Sequence, residues 1–274
     1  MCVTCGCGDE AGTRITEVFE ESQGQPRQGD HGRAGGHGHT HGNAHDSSPE
    51  RTRTVPLEQQ VLAKNDKLAM ANRVWLTERA VLAVNLMSSP GAGKTTLLER
   101  TVRELGQRAP VSVIEGDQET LFDADRIRAA GSRVVQINTG RGCHLDAEMV
   151  GSALRTLDPP SASVVFIENV GNLVCPALFD LGEDSKVVIM SVTEGADKPL
   201  KYPHMFRAAD LVLLNKVDLL PYVDFDLVRF LADAGRVNPH VEVLQISATK
   251  GTGMRAWHDW LCRQVAGAAD TAAR

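Results

Sequence analysis

The chain has 274 residues, 42% apolar and 23% charged, with a formal net charge of -6. That is enough apolar residue to bury a core, while the basic excess needed for a phosphate backbone is absent and no apolar run approaches the roughly 18 residues of a membrane span. No nucleic acid or membrane partner is expected; without a basic stretch and apolar run at the start, the chain reads as unprocessed and cytoplasmic, its six cysteines reduced.

Residues 1–50 form a first unit, poor in apolar side chains, with eight acidic and three basic residues. Such a composition does not repay its ordering entropy, so a flexible leader is predicted. Cys2, Cys5 and Cys7 form C-x-x-C-x-C, a spacing at which three thiolates converge on one ion. Iron-sulfur clusters and structural zinc sites ordinarily take a fourth protein ligand, which is not nearby. The α-amino group is close, and an N/S₃ set suits square-planar Ni²⁺ better than Zn²⁺. His31, His37, His39, His41 and His45 come next on a glycine-rich leash. They suit Ni²⁺ or Zn²⁺ held without fixed geometry and released below about pH 6.5, an accessory store.

Residues 51–80 form the second unit. From Pro56 to Arg79, Leu57, Val61, Leu68 and Trp75 recur at spacings of four and seven, with Leu62, Ala69 and Leu76 one step round. This predicts an amphipathic helix packed on the domain C-terminal to it, with Pro56 in its first turn.

Residues 81–274 form the third. Seven short apolar runs, "AVLAVNLM", "VSVIEGD", "RVVQIN", "SVVFIEN", "KVVIMSV", "DLVLLNK" and "VEVLQIS", alternate with helical patterns such as Thr95 to Gln107 and Asp146 to Leu157. Unbroken apolar strands point to an α/β fold, a mostly parallel sheet of about seven strands with helices on both faces. Ligands of such sheets bind beyond the carboxyl ends of the strands. Cys262, with Met254, Trp257, Leu261 and Val265, reads as core.

The first strand runs into "MSSPGAGKTTLLER". The turn Ser89, Pro90, Gly91, Ala92 and Gly93 to Thr96 can wrap a phosphate with the backbone N–H groups of its non-proline residues, Lys94 can reach the outer phosphates, and the Thr95 hydroxyl can hold Mg²⁺. The strict P-loop begins with glycine; here that place is Ser88. "LLNKVDLL" narrows the ligand to a guanine nucleotide: the Asp218 carboxylate can accept both N–H groups on the edge of guanine, which adenine does not offer. Asn215 would brace the base and the P-loop, the Lys216 stem would lie along the ring, and Ser247 and Ala248 of "ISATKG" would close over it. Asp117 and Glu168 end two strands near the expected γ-phosphate. Either can serve Mg²⁺ directly or through water, and Asp117 can instead orient the attacking water. No water-positioning glutamine and no assured arginine finger is evident, so slow intrinsic hydrolysis is expected. Glu115 and Glu119 read as solvated charges or as members of the site.

Cys143 and His144 in "GRGCHLDA" and Cys175 in "NVGNLVCP" lie after two other strands, at the same sheet end as the nucleotide. Three soft donors there suit an open Ni²⁺ or Zn²⁺ site completed by water or a second copy of the chain; the alternative is two packing thiols. "LLPYVDF" places Leu219 and Val223 in a turn, where exposed they would serve as an apolar dimer contact.

Taken together, the CxxCxC start, the His-rich leader, "SSPGAGKTTLLE", "EGDQET", "NTGRGCHLDA", "IENVGNLVCP", "SVTEGADKPLKYP" and "NKVDLLPY" resemble the hydrogenase nickel-incorporation GTPases, the HypB family. The resemblance implies a cytoplasmic GTPase that helps load nickel into [NiFe]-hydrogenase, using GTP and Mg²⁺. It also implies nickel at Cys2, Cys5 and Cys7, and zinc or nickel at Cys143, His144 and Cys175. It further implies a GTP-dependent homodimer, a small nickel metallochaperone partner and a hydrogenase large-subunit precursor as client. Competing expectations are a nickel buffer with a regulatory GTPase domain, and a GTPase serving another nickel or cobalamin enzyme.

Overall fold

The computed structural model describes residues 14–17, 51–106, 109–117, 122–140 and 142–272. The Cys2, Cys5, Cys7 and leader-histidine assignments, and Glu119, lie outside the described residues. Eight strands form one sheet: β1 (Arg14–Glu17), β2 (Leu82–Ser88), β3 (Val111–Asp117), β4 (Arg133–Asn138), β5 (Val164–Glu168), β6 (Ser185–Ser191), β7 (Leu211–Asn215) and β8 (Glu242–Gln245). Their order is β1-β4-β3-β5-β2-β6-β7-β8, with β2 to β8 parallel and β1 antiparallel to β4.

The seven expected strands are all present, and β2 shows why its run is unbroken: every one of its residues is buried. β1 was not expected. It lies inside the stretch read as leader, where a composition averaged over fifty residues hides a four-residue run, and it adds Ile15 opposite Ile137 at the sheet edge.

One face of the sheet is covered by α2 (Lys94–Leu105), α3 (Phe122–Ala129) and α8 (Met254–Ala272), where Leu97, Leu98, Ile127 and Trp257 meet Val84, Leu86 and Phe166. Trp257 is fully buried and donates from Nε1 to Thr101 Oγ1 at 2.9 Å, satisfying its one polar atom. Cys262 does not join this core; it is exposed, one step round the helix from buried Leu261.

The other face carries α1 (Arg51–Glu78) and α4 (Ala147–Leu157) over β2 to β5, with α6 (Pro203–Ala208) and α7 (Leu227–Val237) over β6 and β7; α5 (Lys198–Lys201) is a single turn before α6. Helix α1 starts at Arg51, so Pro56 lies beyond its first turn. Its buried seam also differs from the apolar reading: Asn65, Ala69, Asn72 and Leu76 are buried, whereas Val61 is 44% exposed. No described helix is long and apolar enough to cross a membrane.

Candidate nucleotide cleft and thiol cluster

Because β2 to β8 run parallel, their carboxyl ends and the loops leaving them gather along one edge of the sheet. Between β2 and α2 the chain turns through Gly91 at φ 76° and Gly93 at φ 100°. A side chain at Gly93 would place Cβ 2.6 Å from Asn215 Nδ2, so glycine is required both for the backbone and for the approach of β7.

Asn215 is buried and uses both ends of its amide. Nδ2 donates to the Ala92 carbonyl at 3.0 Å, and Oδ1 accepts from the N–H of Lys216 at 2.8 Å and of Ala248 at 3.1 Å. One side chain thereby ties three loops together. Lys216 adopts a left-handed φ of 63° and its Nζ donates to the Gly91 carbonyl at 2.7 Å, which lays the stem across the phosphate loop. Asp218 Oδ1 is buried with no hydrogen-bond partner among the described residues. Ser247 Oγ accepts from Lys250 N at 3.1 Å, closing its own turn.

The phosphate side is a cleft of about 550 Å³ whose lining includes Lys94, Thr95, Thr96, Glu115, Asp117, Arg126, Glu168 and Gly171. Lys94 Nζ donates to Ser88 Oγ at 2.9 Å, and the Thr95 hydroxyl donates to Glu168 Oε1 at 2.9 Å. The Ser89 hydroxyl turns to Glu194, and Ala92 is buried behind the loop with its carbonyl on Asn215. Gly171 packs on Pro90: a Cβ there would lie 3.1 Å from the proline nitrogen. Pro90, Gly91, Gly93 and Lys216 also reach the lining, whereas Asn215, Asp218, Ser247 and Ala248 sit in the base-side loops beside it.

Four acids line this cleft: Glu115, Asp117, Asp123 and Glu168. Glu115 is buried rather than solvated, and burial, then the charges of Glu168 and Asp117, push its carboxyl up to about 9 against a hydrogen bond from Gln136. Glu168 is raised to about 7 by burial, opposed by Lys94 and by its bond from Thr95. Oxygens of Glu115 and Glu168 are buried without partners among the described residues. A bound cation would favour their charged forms. In sequence, the signal for Glu115 was an acid inside an otherwise apolar strand. Asp123 and Arg126 carried no such signal; Arg126 is held by Glu99 at 2.9 Å and Asp123 at 3.3 Å.

These shifts make the stability of the nucleotide-free protein depend on pH. An acid whose carboxyl is raised in the fold holds its proton more tightly there, so its contribution to stability falls as pH rises from about 4.5 toward about 9. Glu115→Gln removes that loss. The variant's melting temperature should exceed that of the original chain at about pH 8 by more than it does at about pH 5, and an equal difference at both would contradict the burial of a protonated Glu115.

The second cluster lies beside the first. Cys143 and His144 occupy the loop between β4 and α4, whose start Asp146 caps by accepting from Met149 N at 2.8 Å. Cys175 opens a short 3-10 turn (Cys175–Ala177) after β5. The two sulfurs are 3.1 Å apart, Cys143 Sγ is 3.6 Å from His144 Nδ1, and donor atoms of all three residues lie within 4.8 Å of one another. The His144 ring stacks on Phe179 with centroids 4.0 Å apart. Burial, partly offset by Asp146, lowers the proton affinity of this imidazole, favouring its metal-binding neutral form. Two thiols and one imidazole provide a donor set suited to a soft or borderline metal ion.

One stretch joins the clusters. It begins at Glu168 against Thr95, and Asn169 Oδ1 accepts from Leu145 N at 3.2 Å. It continues past Gly171 to Asn172, which donates to the Cys143 carbonyl at 3.3 Å, and ends at Cys175. Leu219 and Val223, expected in an exposed turn, are half-buried against the cluster containing Phe230; Tyr222 between them is 82% exposed.

This geometry has counterparts among known proteins. The family model described as CobW/HypB/UreG, nucleotide-binding domain, matches residues 82–245. Hydrogenase maturation factor HypB of Azotobacter vinelandii is 59% identical over 78% of this chain and 71% of its own length. The protein of the same name from Escherichia coli (strain K12) is 47% identical over 95% of this chain and 98% of its own. The chain belongs to the HypB family of hydrogenase maturation GTPases. The crystal structure of HypB from Helicobacter pylori in complex with nickel shares its fold, with a TM-score of 0.70 and 35% identity over 74% of this chain and 96% of that one. The HypB-family P-loop GTPase fold thus agrees with the mostly parallel sheet expected from the apolar runs.

Proposed function

We propose that this HypB-family chain is a GTP-hydrolysing nickel metallochaperone that helps place nickel in [NiFe]-hydrogenase, hydrolysis timing the transfer. The observation that carries this reading is the single stretch from Glu168 to Cys175, which lines the cleft at one end and supplies a thiol at the other. The nickel complex of the Helicobacter pylori relative supports nickel as the cargo.

In this reading Asp218 selects guanine, Asn215 holds the base loop to the phosphate loop, and Lys94 meets the outer phosphates. Thr95, Asp117 and Glu168 hold Mg²⁺, which the unpartnered Glu168 oxygen fits. Bound Mg²⁺ neutralises charge on the phosphates. Asp117 also stands where it can orient the attacking water. The products are GDP and phosphate, and turnover is slow, no glutamine lining the cleft among the described residues. Loss of the terminal phosphate frees the Gly171 backbone from that phosphate, and the shift is carried to Cys175. Nickel waits on Cys143, His144 and Cys175, with Cys2, Cys5 and Cys7 as a separate nickel site, the leader histidines as store, and zinc as competitor. A GTP-dependent homodimer forms, and a small metallochaperone and the hydrogenase precursor are the partners.

The test is nickel release from the full chain, with Cys2, Cys5 and Cys7 changed to serine, in the GTP-analogue, GDP and empty states. Off-rates should differ by about 5- to 150-fold, the range of ordinary site-to-site coupling. Equal rates in all three would remove the coupling.

A further inference from the structure

No described residue of helix α1 lines the nucleotide cleft, yet its buried seam is polar at two places. Asn65 Oδ1 accepts from Ala147 N at 2.9 Å while its Nδ2 donates to the Asp180 carbonyl at 2.8 Å. Two turns on, Asn72 Nδ2 donates to the carbonyls of Ala147 at 2.8 Å and Leu181 at 3.0 Å. Ala147 closes the loop that holds Cys143 and His144. Asp180 and Leu181 close the one that holds Cys175, directly after Phe179, whose ring lies on His144. Each amide therefore grips both thiol-bearing loops with one side chain.

The fit leaves no slack. A Cβ on Gly182 would lie 2.5 Å from the Ala69 carbonyl, and one on Gly151 would lie 2.5 Å from Asn72 Oδ1. At the rim, Arg73 Nη2 donates to both Asp180 carboxylate oxygens at 2.8 and 2.9 Å, and Lys64 pairs with Glu148 at 2.9 Å. A helix that merely covered a sheet would bury apolar side chains at these two places. Amides 5% and 8% exposed, each bonded to two separate loops, instead specify one spacing between those loops.

We infer that Asn65 and Asn72 are positioning residues for the thiol cluster: they set the separation of the Cys143–His144 loop from the Cys175–Phe179 loop, so that α1 governs how tightly the cluster grips its ion. This rests on the reading of Cys143, His144 and Cys175 as a metal site. Groups that orient metal ligands from behind commonly change affinity 10- to 100-fold when removed.

The experiment uses the full chain with Cys2, Cys5 and Cys7 changed to serine. Co²⁺ is titrated against a competing chelator and read by thiolate-to-cobalt charge-transfer absorption, which the leader histidines do not produce. Asn65→Ala and Asn72→Ala should each weaken Co²⁺ binding by about 10-fold, and the pair by up to about 100-fold, with affinity for a GTP analogue unchanged. Asn65→Asp keeps the bond from Ala147 N but sets an oxygen against the Asp180 carbonyl; it should lose about as much as Asn65→Ala and carries the test if an alanine variant does not fold. Lowered melting temperatures with unchanged Co²⁺ affinity would mean that the asparagines serve stability alone, and would overturn the inference. A band that persists undiminished in Cys143→Ser would instead overturn the metal-site reading beneath it.

Discussion

Asp218→Asn is expected to weaken GTP binding by about 10⁴-fold, the discrimination typical of a site built to bond one polar edge and then denied it. The side chain ends in an oxygen that is buried and lacks a partner among the described residues, a state that is costly until a donor arrives. Guanine brings two, its N1–H and its exocyclic amine, and a carboxylate accepts both. An asparagine keeps the shape but turns one acceptor into a donor, so N–H faces N–H. Xanthine carries a carbonyl where guanine has the amine, and the new amide can donate to it; the variant should gain affinity for xanthosine triphosphate as it loses GTP. The loop itself should survive, because its brace is Asn215, bonded to Ala92, Lys216 and Ala248 independently of Asp218. Competition against a fluorescent GTP analogue measures both changes. A GTP loss below about tenfold would mean that the base is read elsewhere, since even one missing hydrogen bond to a charged group approaches that factor.

What was legible in the sequence divides along a physical line. Strands buried on both faces announce themselves as unbroken apolar runs, and β2, buried throughout, is the clearest. The phosphate and base loops were legible because their chemistry needs particular residues within a few positions of each other. Parallel strand order also placed Cys143 and Cys175 at one sheet end before any distance was known; the 3.1 Å between their sulfurs depended on how two loops fold back. Glu115 was ambiguous because its burial comes from the strands on either side, β4 and β5. The seam of α1 was misread for a similar reason. Asn65 and Asn72 look solvent-facing in a helical pattern, and their partners are carbonyls and N–H groups 75 to 115 positions away. Leu219 and Val223 looked exposed in a turn, yet the turn folds down toward Phe230.

Lys94→Ala is expected to lower kcat for GTP by about 10³-fold, the upper range for removing one preorganised group that stabilises charge at the reacting centre. Two effects combine. The ammonium now rests on Ser88 Oγ at 2.9 Å, at the base of the phosphate loop, so its removal leaves the outer phosphates without their nearest cation. Lys94 is also the foremost influence opposing burial at Glu168, whose carboxyl already stands near 7. Without that charge Glu168 keeps its proton to still higher pH, and the cleft loses an anionic Mg²⁺ ligand along with the lysine. The second effect has its own signature: the rise of residual activity with pH should move to higher pH in Lys94→Ala, and extra Mg²⁺ should recover part of the rate by competing with the proton. Single-turnover hydrolysis at saturating GTP, across pH and Mg²⁺ concentration, separates the two. If kcat stays within about tenfold of the original chain, the lysine is not on the phosphoryl group being transferred, because a cation acting there is worth far more than that.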